Sequence, residues 1–575
     1  MTANDSHLLL RAFCDELARS GVRHACTSPG SRSAPIVLAL TREPRIRCWS
    51  HIDERCAGFF AVGAAKASGQ PLAVTCTSGT AGVNLAPAVI EAHQARVPMI
   101  VLTADRPPEL RETGAGQTID QLNLYGSAAK WFFEVGFSEA SPVGLRWIRT
   151  LACRAYLTAV QGRPGPVHLN FPLREPLVPD GPLGADPVGG RPGGRPWVGS
   201  RPGSLRAPAA GSGPIELPER GVVVAGRHER GADLTDAVVR FAERAGYPLV
   251  ADPLSGARRG SAAIATYDLL LRDPGFTGGR SPELVVRVGD LPTSKPLRAW
   301  LAALTDVEQV ALDAEGAWQD PASVIGEIEF DEPLAVLRSW TPAAPAAPSG
   351  PAVPTGSGWL DAWRGADKAA RAAINETLGT DLSEPLVAAS LGLWLPPEAT
   401  VFVASSMPVR DLEEFWPLRE DAPRVLCNRG ANGIDGTVSS AFGAAAAGDG
   451  PVVLLIGDVA LLHDLGGLLA ARRLGLPMTI VLLNNDGGGI FHFLPVAGEH
   501  DVFEEHVATP HGLRFDDAAR LYGCGYQRPE TISELRAAVL ESLGADGTAI
   551  IEVRTDRAAN RALHRTIEAR VRATL

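Results

Sequence analysis

The sequence has little of what marks secreted, metal-cluster or membrane proteins. Its 575 residues include only eight cysteines, scattered without a C-x-x-C pair. This pattern disfavours zinc sites and a disulfide framework and favours reduced, packed thiols. No apolar run approaches the roughly 18 residues that a membrane-spanning helix needs. The N-terminus also lacks the basic start and apolar core of a signal peptide. We therefore expect a cytoplasmic protein without an integral membrane segment.

Positive charge is also in short supply. The chain carries 54 Lys and Arg against 65 Asp and Glu, for a net charge of −11. Nucleic-acid-binding proteins usually present a basic domain or face, so we expect no nucleic-acid partner. The hydrophobic fraction of 45% excludes a wholly disordered chain. At roughly 150 residues per domain, the length indicates three or four domains.

Two breaks in composition divide the chain. Of the 35 residues in 181–215, 17 are Gly or Pro, which predicts a mobile linker because little surface can be buried to offset the ordering entropy. A second, Pro/Ala-rich linker at 341–358 is stiffened by its prolines. The predicted domains are therefore 1–180, 216–340 and 359–575.

Short apolar segments alternate with helical patterns in every domain. Examples of the predicted strands are PLAVTCT and PMIVLTA in the first domain, GVVVAG in the second and VVLLIGD in the third. This alternation indicates parallel sheets built from βαβ units, and the predicted fold class is α/β with three doubly wound parallel sheets. Ligands bind beyond the carboxyl ends of the strands in such sheets, so we look for functional residues directly after each strand.

The strongest such signal lies in the third domain. Asp458 ends the segment VVLLIGD, and 26 residues separate it from Asn485 in MTIVLLNNDGGGIF. A carboxylate, an amide oxygen and a carbonyl from the GGG turn suit Mg²⁺, which completes six ligands with diphosphate oxygens and water. The alternative is that both residues only cap helices. The spacing of the pair favours the metal site.

A carboxylate occupies a comparable position in the first domain. Glu54, in the segment HIDERCAGFF, follows a predicted strand and begins an apolar helix. Such a residue is a candidate for acid–base chemistry, and the alternative is that it only complements the helix dipole.

Four arginines lie in predicted loops: Arg32 in SPGSRSAP, Arg106 in LTADRPPE, Arg410 in VASSMPVRD and Arg429 in NRGANGIDG. Guanidinium groups pair bidentately with carboxylates. A single loop arginine is usually a solvated charge, but the set favours a substrate that bears carboxylates.

Several of these motifs resemble a known family. The spacing from Asp458 to Asn485 is similar to the thiamine-diphosphate motif, GDG followed by NN, with Val459 in place of the last Gly. SPGSRSAP, HIDER, TSGTAGVNL, LTADRPPEL and NRGANGIDG also look like 2-succinyl-5-enolpyruvyl-6-hydroxy-3-cyclohexene-1-carboxylate (SEPHCHC) synthases of menaquinone biosynthesis. The resemblance is dense in both end domains, weak in the middle domain and absent from the linkers.

The resemblance implies a role for each matching residue. Glu54 is the carboxylate that activates thiamine diphosphate, and Ile434 props the cofactor in its bent conformation. Asp458, Asn485 and the carbonyl of Gly487 bind the metal, Mg²⁺ or alternatively Mn²⁺. The residues implied to bind the succinyl group of 2-oxoglutarate are Ser406, Arg410 and Arg429. Those implied to bind isochorismate are Ser31, Arg32, Arg106 and Gln117, together with Lys295 from the central domain.

The family also implies the fold, the reaction and the assembly. A pyrimidine-binding domain, a central domain and a diphosphate-binding domain follow one another along the chain. The enzyme is a transferase that decarboxylates 2-oxoglutarate and adds the resulting succinyl carbanion to isochorismate. The cofactor lies between the first domain of one subunit and the third of another, which implies a homodimer or a dimer of dimers. Gly116 and Pro296 replace an Asn and an Arg found in some members, which leaves the isochorismate contacts open.

Two other classes of function are less consistent with the sequence than SEPHCHC synthesis. Another thiamine-diphosphate enzyme, an acetolactate synthase or a 2-oxoacid decarboxylase, is disfavoured because the arginines suit a dicarboxylate and no flavin-site signal appears. A non-catalytic binding protein or a nicotinamide-dependent oxidoreductase is the more distant alternative. No G-x-G-x-x-G follows a predicted strand, and Glu54 accompanies Asp458 and Asn485, so neither is favoured.

Overall fold

The structure is a computed structural model of the chain and describes residues 3–136, 139–200, 215, 217–342 and 358–575. Within these residues, no helix has the length and apolar character needed to cross a membrane. All eight cysteines are free thiols, six of them buried.

The N-terminal part of the chain forms a six-stranded sheet. The strands are β1 (His24–Thr27), β2 (Arg47–Ser50), β3 (Leu72–Cys76), β4 (Met99–Asp105), β5 (Trp131–Glu134) and β6 (Pro166–Pro172). The helices are α1 (Ala3–Ser20), α2 (Ala34–Thr41), α3 (Glu54–Ser68), α4 (Thr80–Asn84), α5 (Ala86–Ala95) and α6 (Pro142–Val160). The strand order is β2-β1-β3-β4-β6-β5, and each neighbouring pair is parallel.

The middle of the chain forms a five-stranded sheet. The strands are β7 (Gly221–Ala225), β8 (Leu249–Ala251), β9 (Leu284–Val288), β10 (Glu308–Leu312) and β11 (Glu327–Glu329). The helices are α7 (Ala232–Ala245), α8 (Tyr267–Leu270), α9 (Pro274–Gly278), α10 (Lys295–Ala303) and α11 (Pro333–Trp340). The order is β11-β10-β9-β7-β8, again with parallel neighbours.

The C-terminal part forms a second six-stranded sheet of order β13-β12-β14-β15-β17-β16. The strands are β12 (Thr400–Val403), β13 (Arg424–Leu426), β14 (Val452–Gly457), β15 (Met478–Asn484), β16 (Gly525–Gln527) and β17 (Thr548–Arg554). The helices are α12 (Trp359–Leu378), α13 (Glu384–Trp394), α14 (Met407–Phe415), α15 (Thr437–Ala447), α16 (Asp458–His463), α17 (Leu469–Leu474), α18 (Phe515–Tyr522), α19 (Ile532–Leu543) and α20 (Arg557–Arg572).

These three sheets confirm the predicted α/β class with parallel strands. The central strands are mostly apolar and buried along their whole length because helices cover both faces, as parallel sheets require. Every residue of β3, β4 and β15 is buried, for example. The boundaries of the three domains stay a prediction.

The described residues pack into two compact units. The first contains those within Met1–Arg201, Asn428–Val452 and Leu462–Met478, and the second those within Pro202–Cys427, Val453–Leu461 and Thr479–Leu575.

Two helices of the first unit, α3 and α15, cross at very short range. A Cβ added to Gly63 would lie 1.8 Å from the carbonyl oxygen of Ser440, and one added to Gly443 would lie 2.0 Å from that of Phe60. The Ser440 hydroxyl also donates to the carbonyl of Phe59 at 3.0 Å. Only glycine allows the two backbones to approach this closely. The crossing fixes the helix that begins with Glu54.

The segment that composition predicts to be a mobile linker is partly fastened in the first unit. The Arg149 guanidinium pairs with Asp186 at 2.6 Å, Arg19 donates to the carbonyl of Arg191 at 3.0 Å, and the Val198 N–H donates to Cys153 Sγ at 3.3 Å. A prediction based on apolar periodicity does not take account of these polar contacts with α1 and α6. Residues 201–214 of this linker, and 343–357 of the second one, lie outside the described residues.

Candidate active site

The predicted metal ligands lie together at one sheet edge in the second unit. Strands β14 and β15 are parallel neighbours with Gly457 opposite Leu483, so the residues that follow them emerge side by side. Asp458 is buried, and its carboxylate accepts the N–H of Val459 at 2.7 Å and that of Gly487 at 2.9 Å. The strand ends therefore bring Asp458 into direct contact with the glycine turn.

Asn485, in the same loop as Gly487, has an acceptor that no described residue uses. Its Nδ2 donates to Glu384 Oε1 at 2.8 Å, while its Oδ1 is buried and accepts no hydrogen bond within the described part of the chain. A buried acceptor left without a partner costs about 1–3 kcal/mol. A cation is a natural partner for such an oxygen, so this observation fits the predicted ligand role.

The glycine turn is shaped for close backbone approach. Gly487 has φ of 139°, a conformation that side chains rarely adopt, and an added Cβ would lie 2.4 Å from the carbonyl oxygen of Ala508. A residue with a side chain would be strained and would clash at this position. The turn and Asp458 thus present small, hard oxygen donors of the kind that Mg²⁺ prefers.

Several residues of this loop region were not predicted from sequence. His511 Nε2 lies 3.3 Å from Asp458 Oδ2, and Asp486 accepts the N–H groups of His511 and Gly512 at 3.1 and 2.8 Å. Asn484 donates from Nδ2 to Glu552 at 2.7 Å, so the first Asn of the NN pair anchors the loop. Only the adjacency of Asn484 to Asn485 was visible in the sequence, because the other partners are distant along the chain.

Burial raises the pKa of Asp458, whereas the N–H groups of Gly487 and Val459 and the nearby His511 act to lower it. The pKa of Asp458 is raised overall because burial outweighs these contacts. No cluster of three or more His, Cys, Asp and Glu suited to a metal ion occurs among the residues that the structure describes. Within the predicted ligand set, Asp458 is the only carboxylate, and the other donors are an amide and a carbonyl.

Glu54 lies at the start of α3 in the first unit. The side chain of Asp53 caps the helix by accepting the N–H of Arg55 at 2.8 Å, so Glu54 occupies the first helical position. Glu54 is half-buried. Burial, and after it the charge of Glu54, raises the pKa of Cys76, the last residue of β3. A carboxylate in the first turn is stabilised by the helix dipole.

Two of the residues predicted to contact isochorismate from the first unit, Arg106 and Gln117, are joined through Ser78. Arg106 donates to Ser78 Oγ at 2.9 Å, and the Gln117 side chain donates to the carbonyl of Ser78 at 3.0 Å. Burial, and after it the charge of Arg106, lowers the pKa of Arg32, and Arg32 donates to the carbonyl of Leu173 at 2.7 Å. Ser31 is exposed beside Arg32 on the same loop.

Arg429 and Ile434 lie in the loop that leads to α15, also in the first unit. Buried Glu91 accepts the N–H of Gly430 at 3.0 Å and that of Ala431 at 2.7 Å. Glu91 also pairs with buried Lys66 at 3.3 Å. The loop that carries Arg429 is therefore held by a charged pair that the sequence did not reveal.

The remaining predicted residues belong to the second unit. Ser406 precedes α14 with φ of 77°, and Arg410 donates to its carbonyl oxygen. Farther along α14, Glu413 pairs with buried Arg258 at 3.1 Å. Lys295 is exposed at the first turn of α10, directly after the N-cap Ser294.

Three families of domain match successive parts of the chain. Residues 9–124 match the N-terminal TPP-binding domain of thiamine pyrophosphate enzymes, 216–403 their middle domain and 409–553 their C-terminal TPP-binding domain. A solved thiamin diphosphate-dependent enzyme from Mycobacterium smegmatis shares the fold, with a TM-score of 0.64 over 97% of this chain and 99% of that chain at 20% identity. Fold and domains together define a thiamine-diphosphate enzyme.

Proteins that are similar to this chain over almost its whole length identify the family within this class of enzymes. The chain is 44% identical to the SEPHCHC synthase of Chloroflexus aurantiacus over 97% of its length and 94% of that protein. It is 43% identical to the enzyme of Halobacterium salinarum (97% of each chain) and 42% identical to that of Geobacillus kaustophilus (97% of this chain, 96% of that one). The chain belongs to the SEPHCHC synthase family.

Proposed function

We propose that this chain is a thiamine-diphosphate-dependent transferase that decarboxylates 2-oxoglutarate and joins the remaining succinyl group to isochorismate, forming SEPHCHC for menaquinone biosynthesis. The observation that supports the proposal is the contact between Asp458 and the N–H of Gly487, together with the buried oxygen of Asn485 that has no hydrogen-bond partner among the described residues. Identity of 42–44% to synthases of this name supports the choice of reaction.

Thiamine diphosphate is held, under this proposal, through a divalent cation. Asp458, Asn485 Oδ1 and the Gly487 carbonyl bind Mg²⁺, with Mn²⁺ as the alternative ion, and Ile434 supports the cofactor. The donor set supports a hard cation because each atom is an oxygen and Asp458 supplies the negative charge.

Glu54 is the proposed catalytic residue. The cofactor supplies the electron sink that decarboxylation of a 2-oxoacid requires. Glu54 shares a proton with the aminopyrimidine ring of the cofactor, and its half-buried position at the start of α3 supports that role. The chain's own contribution is then to hold this proton and to orient the two substrates.

Arginines orient the substrates under the proposal. Arg410 and Arg429, with Ser406, bind the distal carboxylate of 2-oxoglutarate. Ser31, Arg32, Arg106, Gln117 and Lys295 bind isochorismate. Guanidinium groups suit the carboxylates of that substrate, and the hydrogen bonds that join Arg106 and Gln117 to Ser78 support the assignment of these two residues.

The proposed assembly is a homodimer or a dimer of dimers in the cytoplasm. The cofactor would lie between the first domain of one subunit and the third domain of another. Both statements rest on the resemblance to the family.

The test is the loss of isochorismate in the presence of thiamine diphosphate, Mg²⁺ and 2-oxoglutarate. We expect loss only when all components are present, and little loss when pyruvate replaces 2-oxoglutarate, because pyruvate lacks the distal carboxylate. Equal or faster reaction with pyruvate, without isochorismate consumption, would favour an acetolactate synthase or a 2-oxoacid decarboxylase instead.

A further inference from the structure

Ser78 occupies the centre of the group that contains Arg106 and Gln117. Its hydroxyl donates to the main-chain carbonyl of Gln117 at 3.0 Å and accepts from Arg106 Nη1 at 2.9 Å. Its own carbonyl accepts from the Gln117 side chain at 3.0 Å. One serine thus forms three hydrogen bonds to two residues that are distant from it in sequence. Since a hydroxyl has a single proton, donating it to Gln117 orients a lone pair towards Arg106.

The hydrogen bonds to Ser78 hold Gln117 in an unfavourable backbone conformation. Gln117 has φ of 56°, in the left-handed region that is unfavourable for residues other than glycine. An added Cβ on Gly79 would lie 3.1 Å from Gln117 Cγ, so the neighbouring backbone is close. Two hydrogen bonds to Ser78 are the fixed points that keep Gln117 in this conformation.

A buried polar network connects the two neighbours of Ser78, Gly79 in sequence and Arg106 in space. Gln121 accepts the N–H of Gly79 at 2.8 Å and donates to Asn170 at 3.0 Å. Asn170 in turn donates to Asp105 at 2.9 Å, and Asp105 accepts the N–H of Arg106 at 2.7 Å. The chain of contacts leaves Gly79 and Arg106 on a rigid base, because buried and satisfied polar networks resist rearrangement.

The position of Ser78 itself is set by packing. Ser78 is fully buried just beyond the end of β3, whereas Arg106 is half-buried and Gln117 is exposed. A ligand can therefore reach the arginine and the glutamine but not the serine between them. Ser78 acts through these two side chains.

We propose that Ser78 is a positioning residue that sets the relative placement of Arg106 and Gln117 and thereby the affinity for the acceptor substrate. The inference rests on the proposed function, because it assigns both residues to isochorismate. It predicts that loss of the Ser78 hydroxyl weakens acceptor binding and leaves reaction with the donor intact.

The test compares Ser78→Ala with Ser68→Ala, whose hydroxyl donates only to Ala64 within the last turns of α3. Titration calorimetry measures the binding of isochorismate to each protein with thiamine diphosphate and Mg²⁺ present and 2-oxoglutarate absent. We expect Ser78→Ala to weaken binding by roughly 10- to 100-fold, the effect of losing a hydrogen bond to a charged group. Ser68→Ala should bind as the wild type does.

A double-mutant cycle separates positioning from general structural damage. If Ser78 acts through Arg106, the Ser78→Ala change should have little further effect on isochorismate affinity in an Arg106→Ala background. In Ser78→Ala alone, the rate of CO₂ release from 2-oxoglutarate without isochorismate should equal the wild-type rate.

Unchanged isochorismate affinity in Ser78→Ala would overturn the inference. So would additive effects of Ser78→Ala and Arg106→Ala on this affinity, or a fall in the rate of CO₂ release as large as the fall in isochorismate affinity. Absence of isochorismate binding by the wild-type protein would instead overturn the proposed function, and the inference with it.

Discussion

The strands that precede Asp458 and Asn485 determine where these two residues lie. Each follows a buried strand, and the parallel pairing of β14 with β15 brings two positions 27 residues apart to the same edge. A helix cap would use the side-chain oxygen on a backbone N–H, whereas Asn485 Oδ1 has no such partner among the described residues, which favours the proposed ligand role.

Asp458→Asn tests the proposed metal ligand while keeping the size of the side chain. We expect the affinity for thiamine diphosphate with Mg²⁺ to fall by roughly 10- to 100-fold, because interactions with charged groups contribute about 1.5–3 kcal/mol. Titration calorimetry measures the affinity. Val459→Gly is the matched control and should bind normally, since its side chain is not a proposed ligand. Wild-type affinity in Asp458→Asn would exclude the carboxylate as a ligand.

Glu54→Gln tests the proposed proton-sharing carboxylate. The amide keeps the size and hydrogen bonding of the side chain but cannot exchange a proton, so hydrogen–deuterium exchange at C2 of the bound cofactor should slow by about two to four decades. The adjacent Asp53→Asn variant is the control, because Asp53 caps the helix and should leave exchange unchanged. A wild-type exchange rate in Glu54→Gln would refute the role.

Sequence reasoning predicted residues in the segments that follow strands, of which Asp458, Asn485 and Arg106 come within a residue of the strand end. It missed His511, Glu384, Glu91 and Ser78, each of which contacts a proposed site residue or its loop. Their partners are between 28 and 339 residues away, and nothing in their local pattern indicates a contact. Only tertiary structure brings such pairs together.

At the scale of elements, α14 shows how a helix presents a side chain near its start. Glu413 pairs with Arg258 and Asp411 contacts His564 at 3.1 Å, so the buried face of the helix is fixed in the second unit. Arg410 lies near the other end, against the carbonyl of Ser406. The helix is thus a rigid support for the proposed donor-binding arginine.

Arg410→Ala should discriminate between donors. Losing a charge-assisted hydrogen bond to the distal carboxylate of 2-oxoglutarate should lower kcat/KM by about one to two decades, while the slow reaction with pyruvate should hardly change. Arg429→Ala should behave in the same way. Arg419→Ala is the control, because Arg419 donates to the carbonyls of Gly392 and Leu395 and should affect both donors alike. Equal losses for both donors in Arg410→Ala would contradict its assignment.

Gly63→Ala tests the close crossing of α3 and α15. The added methyl group would meet the carbonyl oxygen of Ser440, so we expect overpacking to lower the free energy of unfolding by about 1–3 kcal/mol. Thermal and denaturant unfolding measure this loss. In Gly365→Ala, the new methyl group lies at an exposed position of α12 and meets no atom within 4 Å, and stability should rise by about 0.5–1 kcal/mol. Stability unchanged in Gly63→Ala would mean that the crossing is looser than the structure shows.

For the molecule as a whole, the alternation of strands and helices was enough to predict three parallel sheets. It could not predict that residues 428–452 and 462–478 would pack into the first compact unit. That grouping depends on contacts such as Gly63 with Ser440, hundreds of residues apart. The Gly/Pro-rich composition of 181–215 likewise gave no sign of the ion pair between Arg149 and Asp186.

The stability of the second unit should depend on pH through His564. Burial opposes charge on this histidine, but contacts with Asp411 at 3.1 Å and Glu414 at 3.3 Å prevail and raise its pKa to about 10. Arg272 pairs with Glu414 in the same cluster, and Glu384 lies near Asp411. Because the folded pKa exceeds the ordinary value of 6.5, the stabilisation is complete below about pH 6.5 and is lost as pH rises through 10.

Denaturant unfolding of the wild type and of His564→Gln between pH 6 and pH 10.5 measures this contribution. The difference in free energy of unfolding between the two proteins should be largest at the low end and should shrink as the pH rises. A difference that is constant across the range would show that His564 does not carry its charge in the folded protein.

The most direct test of the proposed function is a simultaneous measurement of CO₂ release and isochorismate loss by the wild-type protein. With thiamine diphosphate, Mg²⁺, 2-oxoglutarate and isochorismate present, we expect one CO₂ for each isochorismate consumed and a product whose mass equals that of SEPHCHC. Release of CO₂ at the same rate without isochorismate loss would contradict the account and identify a decarboxylase that does not use this acceptor.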